Sequence, residues 1–300
     1  MWTMAIARTV AVAQGKGGVG KTSVTTNVAG LAALAGLRTL IVDCDPQGNV
    51  ARDLGLEPGS GSPLLSALVS GAPLPVTRAV RAGLDVVEGG PEVADLAGLM
   101  YARSARGGGS LAQSLHASLA AVADDYDLIL IDTPPGEKIL VEAALGVAAA
   151  VLIPTRADDA SLDGLARVAE RFIVARETNP ELRLAGVLLF AVGARSRRLE
   201  SSVRRSIQSI VGNAAPIFEA RVRHLESAAV DSRRAGMLTH ELEGAAVEDR
   251  RARLAALRAG KAPEAGLLVR NAEGLASDYE AVTRELLTRL AQIEEEVGAA

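Results

Sequence analysis

The sequence predicts an α/β protein with a doubly wound, mostly parallel sheet that is flanked by helices, with extra helices near the C-terminal end. Short apolar runs rich in β-forming residues alternate with longer segments of helical apolar spacing, which is the pattern of strands joined by crossover helices. Several of these runs are continuous rather than alternating, as expected for strands covered on both faces. The 300 residues are 49% hydrophobic, enough for a core of this kind.

Six short apolar runs carry the predicted strands. They are residues 9–13, 39–42, 84–87, 128–131, 151–154 and 184–190. Helices are predicted at residues 24–35, 64–69 and 162–175, where apolar side chains recur at helical spacing. Beyond about residue 241 the strand pattern stops and the chain becomes charged and helical. We therefore expect residues 1–240 to form the sheet domain and residues 241–300 to form a helical extension packed on the same domain.

Charge and cysteine content exclude several classes of protein. The formal net charge of −4 gives no overall attraction to polyanions, so contact with nucleic acid needs a local basic patch. Cys44 is the only cysteine, which excludes a disulfide framework and a cysteine-only metal site within one chain. The longest apolar stretch, residues 143–153, is too short to span a membrane. These features predict a cytoplasmic protein with no membrane partner.

A glycine-rich loop follows the first predicted strand and precedes the first predicted helix. Its sequence GKGGVGKT, residues 15–22, matches the pattern GxxxxGK[ST] in the context which that pattern requires. Glycines let backbone N–H groups surround phosphates, Lys21 would neutralise the β- and γ-phosphates, and the Thr22 hydroxyl would bind magnesium. The predicted nucleotide-binding residues are Gly17, Gly18, Val19, Gly20, Lys21, Thr22 and Ser23. The sheet domain is therefore predicted to be a P-loop NTPase that uses ATP and Mg²⁺.

The segment DCDPQGN, residues 43–49, lies at the C-terminal edge of the second predicted strand. A carboxylate at this edge of an open α/β sheet faces the ligand, so Asp45 could orient or activate an attacking water. The alternative is an Asx turn that simply ends the strand. Cys44 is expected to be a small buried side chain rather than a nucleophile.

The segment LILIDTPP, residues 128–135, places an acid directly after four apolar strand residues. Asp132 is positioned to bind magnesium or one of its waters, as the second acidic motif of P-loop enzymes does. The predicted metal ligands are Thr22, Asp45 and Asp132.

These motifs together resemble the ParA/MinD group of P-loop ATPases, and the ParA partitioning ATPases in particular. Lys16 is the extra lysine that marks the deviant loop of that group, while DCDPQGN and IDTPP resemble its two switch regions. Weaker similarity extends over residues 5–235 and, as a last helix, over residues 278–290. No acid stands beside Lys16 in the sequence, which fits a lysine that acts elsewhere.

The resemblance implies an ATP-bound sandwich homodimer in which Lys16 crosses the interface to the partner's phosphates. Lys16, Lys21 and Asp45 would then be the catalytic residues, with Asp45 as the hydrolytic residue. Turnover would be slow and stimulated by a ParB-like, centromere-binding protein. The protein would be associated with the nucleoid.

The group's ATP-bound dimer binds DNA without sequence specificity, and residues 195–234 provide basic side chains for such a contact. This stretch holds nine arginines against four acids, a net charge of +5. Such a patch suits phosphate contacts, although solvated helix faces are the alternative for Arg204 and Arg205. The predicted DNA-binding residues are Arg195, Arg197, Arg198, Arg221, Arg223, Arg233 and Arg234.

Two other functions share the nucleotide motifs. A MinD-like positioning ATPase would be expected to end in a basic amphipathic membrane helix, whereas this sequence ends in LAQIEEEVGAA. An amidoligase-type biosynthetic enzyme would use ATP on a small acid and would not bind DNA. Many relatives run almost directly from the basic region into the last helix, but here about 30 residues intervene, including EDRRARLAALRAGK. This insertion would contact a partner protein, a second copy or DNA. Overall the sequence predicts a ParA-like DNA-segregation ATPase.

Overall fold

The computed structural model describes residues 5–193, 197–212, 216–259 and 274–298, and only the main chain of residues 104, 197–200 and 226–229. It contains eight strands and eleven α-helices within those ranges. The strands are β1 (Ile6–Val12), β2 (Thr39–Asp43), β3 (Val76–Arg81), β4 (Leu84–Val87), β5 (Leu128–Asp132), β6 (Ala148–Thr155), β7 (Arg183–Val192) and β8 (Ile217–Arg223). The helices are α1 (Lys21–Leu34), α2 (Asn49–Asp53), α3 (Ser62–Ser70), α4 (Leu96–Ser104), α5 (Leu111–Ala123), α6 (Lys138–Val147), α7 (Asp159–Thr178), α8 (Arg197–Val211), α9 (Glu226–Ala235), α10 (Thr239–Arg258) and α11 (Leu275–Gly298).

The strands form one sheet in the order β3-β4-β2-β5-β1-β6-β7-β8. All neighbouring pairs are parallel except β3 with β4. From β1 the chain builds the β2 side of the sheet first and then crosses to the β6 side. In open α/β sheets, ligands bind at the switch point, where consecutive connections leave a strand on opposite sides. The loop after β1 lies at this point and is therefore the expected place for a ligand.

Helices cover both faces of the sheet. On one face α1 and α11 bury a core that includes Val28, Tyr279 and Leu286. On the other face α3, α5, α6 and α7 bury a second core, which includes Leu115 and Leu165. The predicted doubly wound P-loop fold with extra C-terminal helices is confirmed.

All six predicted strands are present, with boundaries that differ by a few residues, whereas β3 and β8 were not predicted. Both are edge strands with half-exposed, charged sequences, VTRAVR and IFEARVR. An edge strand lacks the continuous apolar run that identified the central strands. The proposed boundary at residue 240 falls within the first turn of α10. Within the described ranges, no helix has both the length and the apolar character needed to cross a membrane.

Candidate nucleotide-binding site

The phosphate loop occupies residues 13–20 between β1 and α1. Gly18 and Gly20 have φ angles of 73° and 89°, in the left-handed region where side chains are strained. At Gly20 an added Cβ would lie 2.3 to 2.5 Å from ring atoms of Phe190. Both the backbone conformation and the close ring therefore require glycine at position 20. Phe190, near the end of β7, is a neighbour of the loop that the sequence motif did not identify.

Gln14 ties the start of this loop to the strand and helix beside it. Its buried amide nitrogen lies 3.1 Å from the carbonyl oxygen of Pro154 and from the hydroxyl of Thr155, and 3.2 Å from the carbonyl oxygen of Ser161. The backbone N–H of Gly15 donates to the Gln14 side-chain oxygen at 2.7 Å. A buried amide with these partners fixes the loop against β6 and α7.

The two residues that end the motif point to different partners. The buried Lys21 ammonium donates to the carbonyl oxygen of Lys16 at 3.3 Å. Burial lowers the pKa of Lys21, although Asp132 and Asp45 oppose that change. The Thr22 hydroxyl donates to a carboxylate oxygen of Asp132 at 2.7 Å, so the phosphate loop and the end of β5 meet directly.

Asp132 is fully buried at the edge of the sheet and is aligned with Val12 of β1 and Asp43 of β2. Burial raises the pKa of its carboxyl to about 7, against the hydrogen bond from Thr22 and the charge of Lys21. Thr25 donates a second hydrogen bond to Asp132, at 3.3 Å. The register of three parallel strands thus brings this acid to the phosphate loop.

Asp43, which the sequence motif did not single out, organises the segment after β2. Its carboxylate accepts hydrogen bonds from the backbone N–H groups of Asp45 at 2.9 Å and of Val50 at 3.2 Å. Burial raises the pKa of the Asp43 carboxyl well above its ordinary value, and the nearby Asp132 adds to the shift. The D-x-D spacing of Asp43 and Asp45 could have identified this residue, because two acids at the end of a buried strand each need a hydrogen-bond or charge partner.

Asp45 forms the Asx turn that was the alternative to a catalytic role. One of its carboxylate oxygens accepts a hydrogen bond from the N–H of Gln47 at 2.9 Å, and Gly48, with a φ angle of 58°, then leads into α2. This turn fixes the carboxylate in place and is compatible with a role at the site. Cys44 is buried, as predicted, and burial raises its pKa, which disfavours the reactive thiolate.

The oxygen atoms at the site fit magnesium. Within the described residues, no group of three or more His, Cys, Asp or Glu side chains is arranged to hold a metal by itself. Magnesium usually binds through one or two protein oxygens together with water and substrate phosphates, and the Thr22 hydroxyl and Asp132 carboxylate offer such a pair. These two residues would hold the ion when a nucleotide is present.

The structure corrects the expectation that no acid lies beside Lys16. Its ammonium lies 2.5 Å from a carboxylate oxygen of Asp158, which is distant in sequence but begins α7. Asp158 also accepts hydrogen bonds from the N–H and the hydroxyl of Ser161, each at 3.0 Å. The carboxylate is partly buried, which opposes ionisation, but these hydrogen bonds hold the pKa of Asp158 below its ordinary value. Lys16 is therefore bound within its own chain.

A cavity of about 520 Å³ adjoins the first turns of α1. Its wall includes Ser23, Asn27, Phe190, His224 and Tyr279. The lining combines apolar and aromatic side chains with many polar and charged ones, four arginines among them, and the volume is sufficient for a nucleoside. The cavity extends from the phosphate loop toward the ends of β7 and β8.

The predicted DNA-binding arginines have different environments. Arg223 makes two hydrogen bonds to Asp278, at 2.7 and 2.9 Å, and Arg233 lies 2.8 Å from Asp53. These bonds engage the two guanidinium groups within the chain, and Arg223, Arg233 and Arg234 all line the cavity. Arg221 and Arg234 are exposed. The side chains of Arg197 and Arg198, at the start of α8, are not described, and Arg195 lies outside the described residues.

The sheet order, the phosphate loop and the Thr22–Asp132 contact define a P-loop nucleotide-binding ATPase. A family model described as an AAA domain matches residues 7–184. The chromosome partitioning protein ParA of Caulobacter vibrioides is 34% identical over 215 residues, which cover 69% of this chain and 77% of that protein. The chain belongs to the ParA/Soj family of chromosome-partitioning ATPases.

Solved structures have the same fold. An ATP complex of a McdA variant from Cyanothece has a TM-score of 0.71 at 20% identity and covers 95% of this chain and 97% of its own. Cobyrinic acid a,c-diamide synthase from Mycobacterium smegmatis, with bound ADP and magnesium, has a TM-score of 0.63 at 24% identity, with 85% and 97% covered. At these identities the likeness shows the fold alone.

Proposed function

We propose that the chain is an ATP-driven DNA-partitioning switch, in which a nucleotide-bound homodimer binds DNA without sequence specificity and hydrolysis releases it. The position of Lys16 carries the proposal. The side chains of Lys16 and Asp158 are 34% and 41% exposed to solvent, whereas Lys21 of the same loop is buried. Lys21 can bind the phosphates of the nucleotide held by its own chain. Lys16 can bind the phosphates of the nucleotide held by a second copy once its ion pair with Asp158 is broken.

Lys16, Lys21 and Asp45 are the proposed residues of hydrolysis. One oxygen of Asp45 is engaged by Gln47, and the other accepts no hydrogen bond from the part of the chain that the structure describes. That oxygen is free to orient a water for attack on the γ-phosphate. Magnesium, held by Thr22 and Asp132 with Asp45 close by, would supply charge neutralisation at the phosphates. We expect turnover to be slow until a ParB-like partner stimulates it.

The proposed nucleotide position follows from the loop and the cavity. The N–H groups from Gly17 to Ser23 would surround the phosphates, with the N-terminus of α1 behind them. The nucleoside would then occupy the adjoining cavity of about 520 Å³. In this arrangement Arg223 and Arg233 support the cavity wall through their bonds to Asp278 and Asp53.

The proposed DNA contact uses basic side chains of residues 195–234, including Arg223 and Arg233, whose side chains are 45% and 43% exposed despite their ion pairs. Arg221 at β8 and Arg234 in α9 are exposed and lie in the stretch of net charge +5. Arg195, Arg197 and Arg198 complete the proposed set. Non-specific binding through arginine–phosphate contacts would place the ATP-bound protein on the nucleoid in the cytoplasm.

The test is DNA binding measured with ATP, with ADP and without nucleotide, each at two salt concentrations. We expect salt-sensitive binding only with ATP, because the dimer doubles the basic surface. Lys21→Ala should abolish nucleotide binding, and Asp45→Ala should keep the ATP state on DNA. Equal DNA binding in all three nucleotide states would refute the switch, and normal hydrolysis by Asp45→Ala would refute the role of that residue.

The same measurements separate partitioning from a biosynthetic function. An amidoligase-type enzyme would show ATP turnover that depends on a small carboxylic acid, and ATP would not promote its binding to DNA. A MinD-like positioning ATPase would bind anionic vesicles with ATP. The biosynthetic alternative gives no role to the net charge of +5 in residues 195–234, and the vesicle measurement separates DNA from anionic lipid as its target.

A further inference from the structure

The outer half of α10 leaves aliphatic side chains in solvent. The helix is anchored at its start, where the N–H and hydroxyl of Thr239 donate to the Asn27 side-chain oxygen at 2.8 and 2.7 Å. After Leu242 no residue of α10 is buried. Val247, Leu254 and Leu257 are 40%, 51% and 59% exposed. This part of the helix, residues 243–258, is about 24 Å long at 1.5 Å per residue. It does not pack into the domain core.

Three arginines share the face of α10 that carries these aliphatic residues. At 100° per residue, the six side chains fall within an arc of about 120°. The α10 stripe consists of Val247, Arg250, Arg251, Leu254, Leu257 and Arg258. None of its three arginines makes an ion pair within the described ranges, whereas Arg253, on the neighbouring face, pairs with Asp249 at 3.1 Å.

The spacing of the aliphatic residues is that of a helix-binding surface. Single exposed hydrophobic residues are common, but aligned residues at positions i, i+7 and i+10 form a seam into which the side chains of a second helix can pack. Arg251 and Arg258 border this seam on one side, Arg250 lies between the angular positions of Leu254 and Leu257, and the three would carry the polar contacts of the surface.

The charge of the stripe selects among possible occupants. A second copy of the chain, packed antiparallel about a twofold axis at Leu254, would set Arg250 against Arg258 of the other copy, which is unfavourable. DNA phosphates would satisfy the arginines but leave Leu254 and Leu257 in water. A partner with an apolar stripe bordered by carboxylates would satisfy both sets of side chains.

We infer that the α10 stripe docks an amphipathic helix of a partner protein whose apolar face is bordered by Asp and Glu. This contact is separate from the nucleotide site and from the arginines proposed for DNA. It gives a function to the insertion that lies between the basic region and the last helix.

The test uses a displayed library of helical peptides about five turns long, with leucine fixed along one face and Glu, Gln or Lys varied beside it. Selection is made on the full-length protein with excess Leu254→Ala/Leu257→Ala protein as competitor. Alanine preserves the helix, so this variant should remain folded. We expect Glu to be enriched over Lys about tenfold beside the leucine face. Enrichment of Lys, or no peptide that distinguishes the two proteins, would overturn the inference.

Binding of a selected, labelled peptide is then measured by fluorescence anisotropy. Leu254→Ala/Leu257→Ala should weaken it at least about tenfold, and Arg250→Glu/Arg251→Glu should abolish it and favour a Lys-bordered peptide instead. The matched control is Ile173→Ala/Val174→Ala on α7, where side chains 67% and 54% exposed are removed away from the stripe. The control should bind normally, and equal loss in the control would overturn the assignment.

Three other outcomes would assign the stripe to a different occupant and overturn the inference. Duplex DNA binding that is lost with Arg250→Glu/Arg251→Glu but kept with Leu254→Ala/Leu257→Ala would indicate DNA. Binding to phosphatidylglycerol vesicles that is lost with the leucine variant would indicate a membrane. Nucleotide-independent self-association that is lost with the leucine variant, measured by sedimentation, would indicate a second copy.

Discussion

Asp158→Asn should strengthen the proposed ATP-bound dimer, because Asp158 holds Lys16 within its own chain. The ammonium of Lys16 lies 2.5 Å from the carboxylate. Asparagine has nearly the same shape and is an equally good N-cap, so the hydrogen bond from the Ser161 N–H and the start of α7 should be kept. The substitution removes the charge and therefore weakens the bond that Lys16 must leave to reach a second copy.

The expected magnitude follows from the exposure of this pair. The side chains are 34% and 41% exposed, so solvent screening limits the pair to about 0.5–1 kcal/mol. A dimer releases two such pairs, which gives about 1–2 kcal/mol, or about 5- to 30-fold tighter association. The lowered pKa of Asp158 keeps the pair formed at neutral pH, and the pair is lost only as the pH falls through that pKa. The gain should shrink as salt is added.

Sedimentation velocity over a range of protein concentrations, with magnesium and a non-hydrolysable ATP analogue, measures the dimer constant. Asp159→Asn is the matched control, since this neighbouring acid is exposed and has no ion pair with Lys16. An unchanged or weaker dimer with Asp158→Asn would refute the idea that the pair restrains Lys16. A weaker dimer would indicate in addition that Asp158 acts within the dimer.

Three further substitutions test other contacts. Arg233→Gln leaves Asp53 buried without its partner and should lower the free energy of unfolding by about 1–2 kcal/mol, a figure reduced because Arg233 is 43% exposed. Burial already raises the pKa of Asp53, and loss of Arg233 raises it further, so urea unfolding should show the full deficit above that raised pKa and a smaller deficit as the pH falls through it and Asp53 takes up a proton. Arg234→Ala should reduce the slope of log affinity for DNA against log salt by about 1, and an unchanged slope would remove this residue from the DNA surface. Gly20→Ala should cost about 1–3 kcal/mol from its backbone conformation alone, and more from the Phe190 ring. Phe190→Ala in the same chain should restore only the part due to the ring, as measured by urea unfolding.

The central strands could be predicted because helices cover both of their faces. β2 and β5 are fully buried and appear in the sequence as continuous apolar runs. Edge strands are less buried and therefore need fewer apolar residues. In β8, apolar residues alternate with charged ones. The arginines that interrupt the apolar pattern of this strand were interpreted as a DNA surface, and one of them, Arg223, pairs with Asp278 of α11, which the sequence did not indicate.

The phosphate loop and its two acids could also be predicted, because each motif is contiguous and follows a strand directly. The contacts of Gln14 with Thr155 and of Lys16 with Asp158 join residues about 140 positions apart. They arise because β1 pairs in parallel with β6, so the loops that follow these two strands emerge at the same edge. Local sequence does not contain that register, and the absence of an acid beside Lys16 in the sequence was therefore no guide to its partner.

Residue 16 connects the two lysines of the loop. Its ammonium binds Asp158, while its carbonyl oxygen accepts the hydrogen bond from the Lys21 ammonium. A bound phosphate that attracts the Lys21 ammonium would break its hydrogen bond to the Lys16 carbonyl oxygen. The backbone at residue 16 would then be less constrained, which would weaken the ion pair between Lys16 and Asp158. If nucleotide binding and the release of Lys16 are linked in this way, the linkage is reciprocal.

Weakening the ion pair of Lys16 by Asp158→Asn, or removing it by Lys16→Ala, should then tighten ATP binding to the monomer by a similar factor of a few-fold. Calorimetry at protein concentrations below dimer formation measures this affinity. The two variants should have opposite effects on the proposed dimer, since Asp158→Asn should strengthen it and Lys16→Ala should abolish it. Monomer affinities that differ between the two variants would show that Lys16 acts on the nucleotide of its own chain.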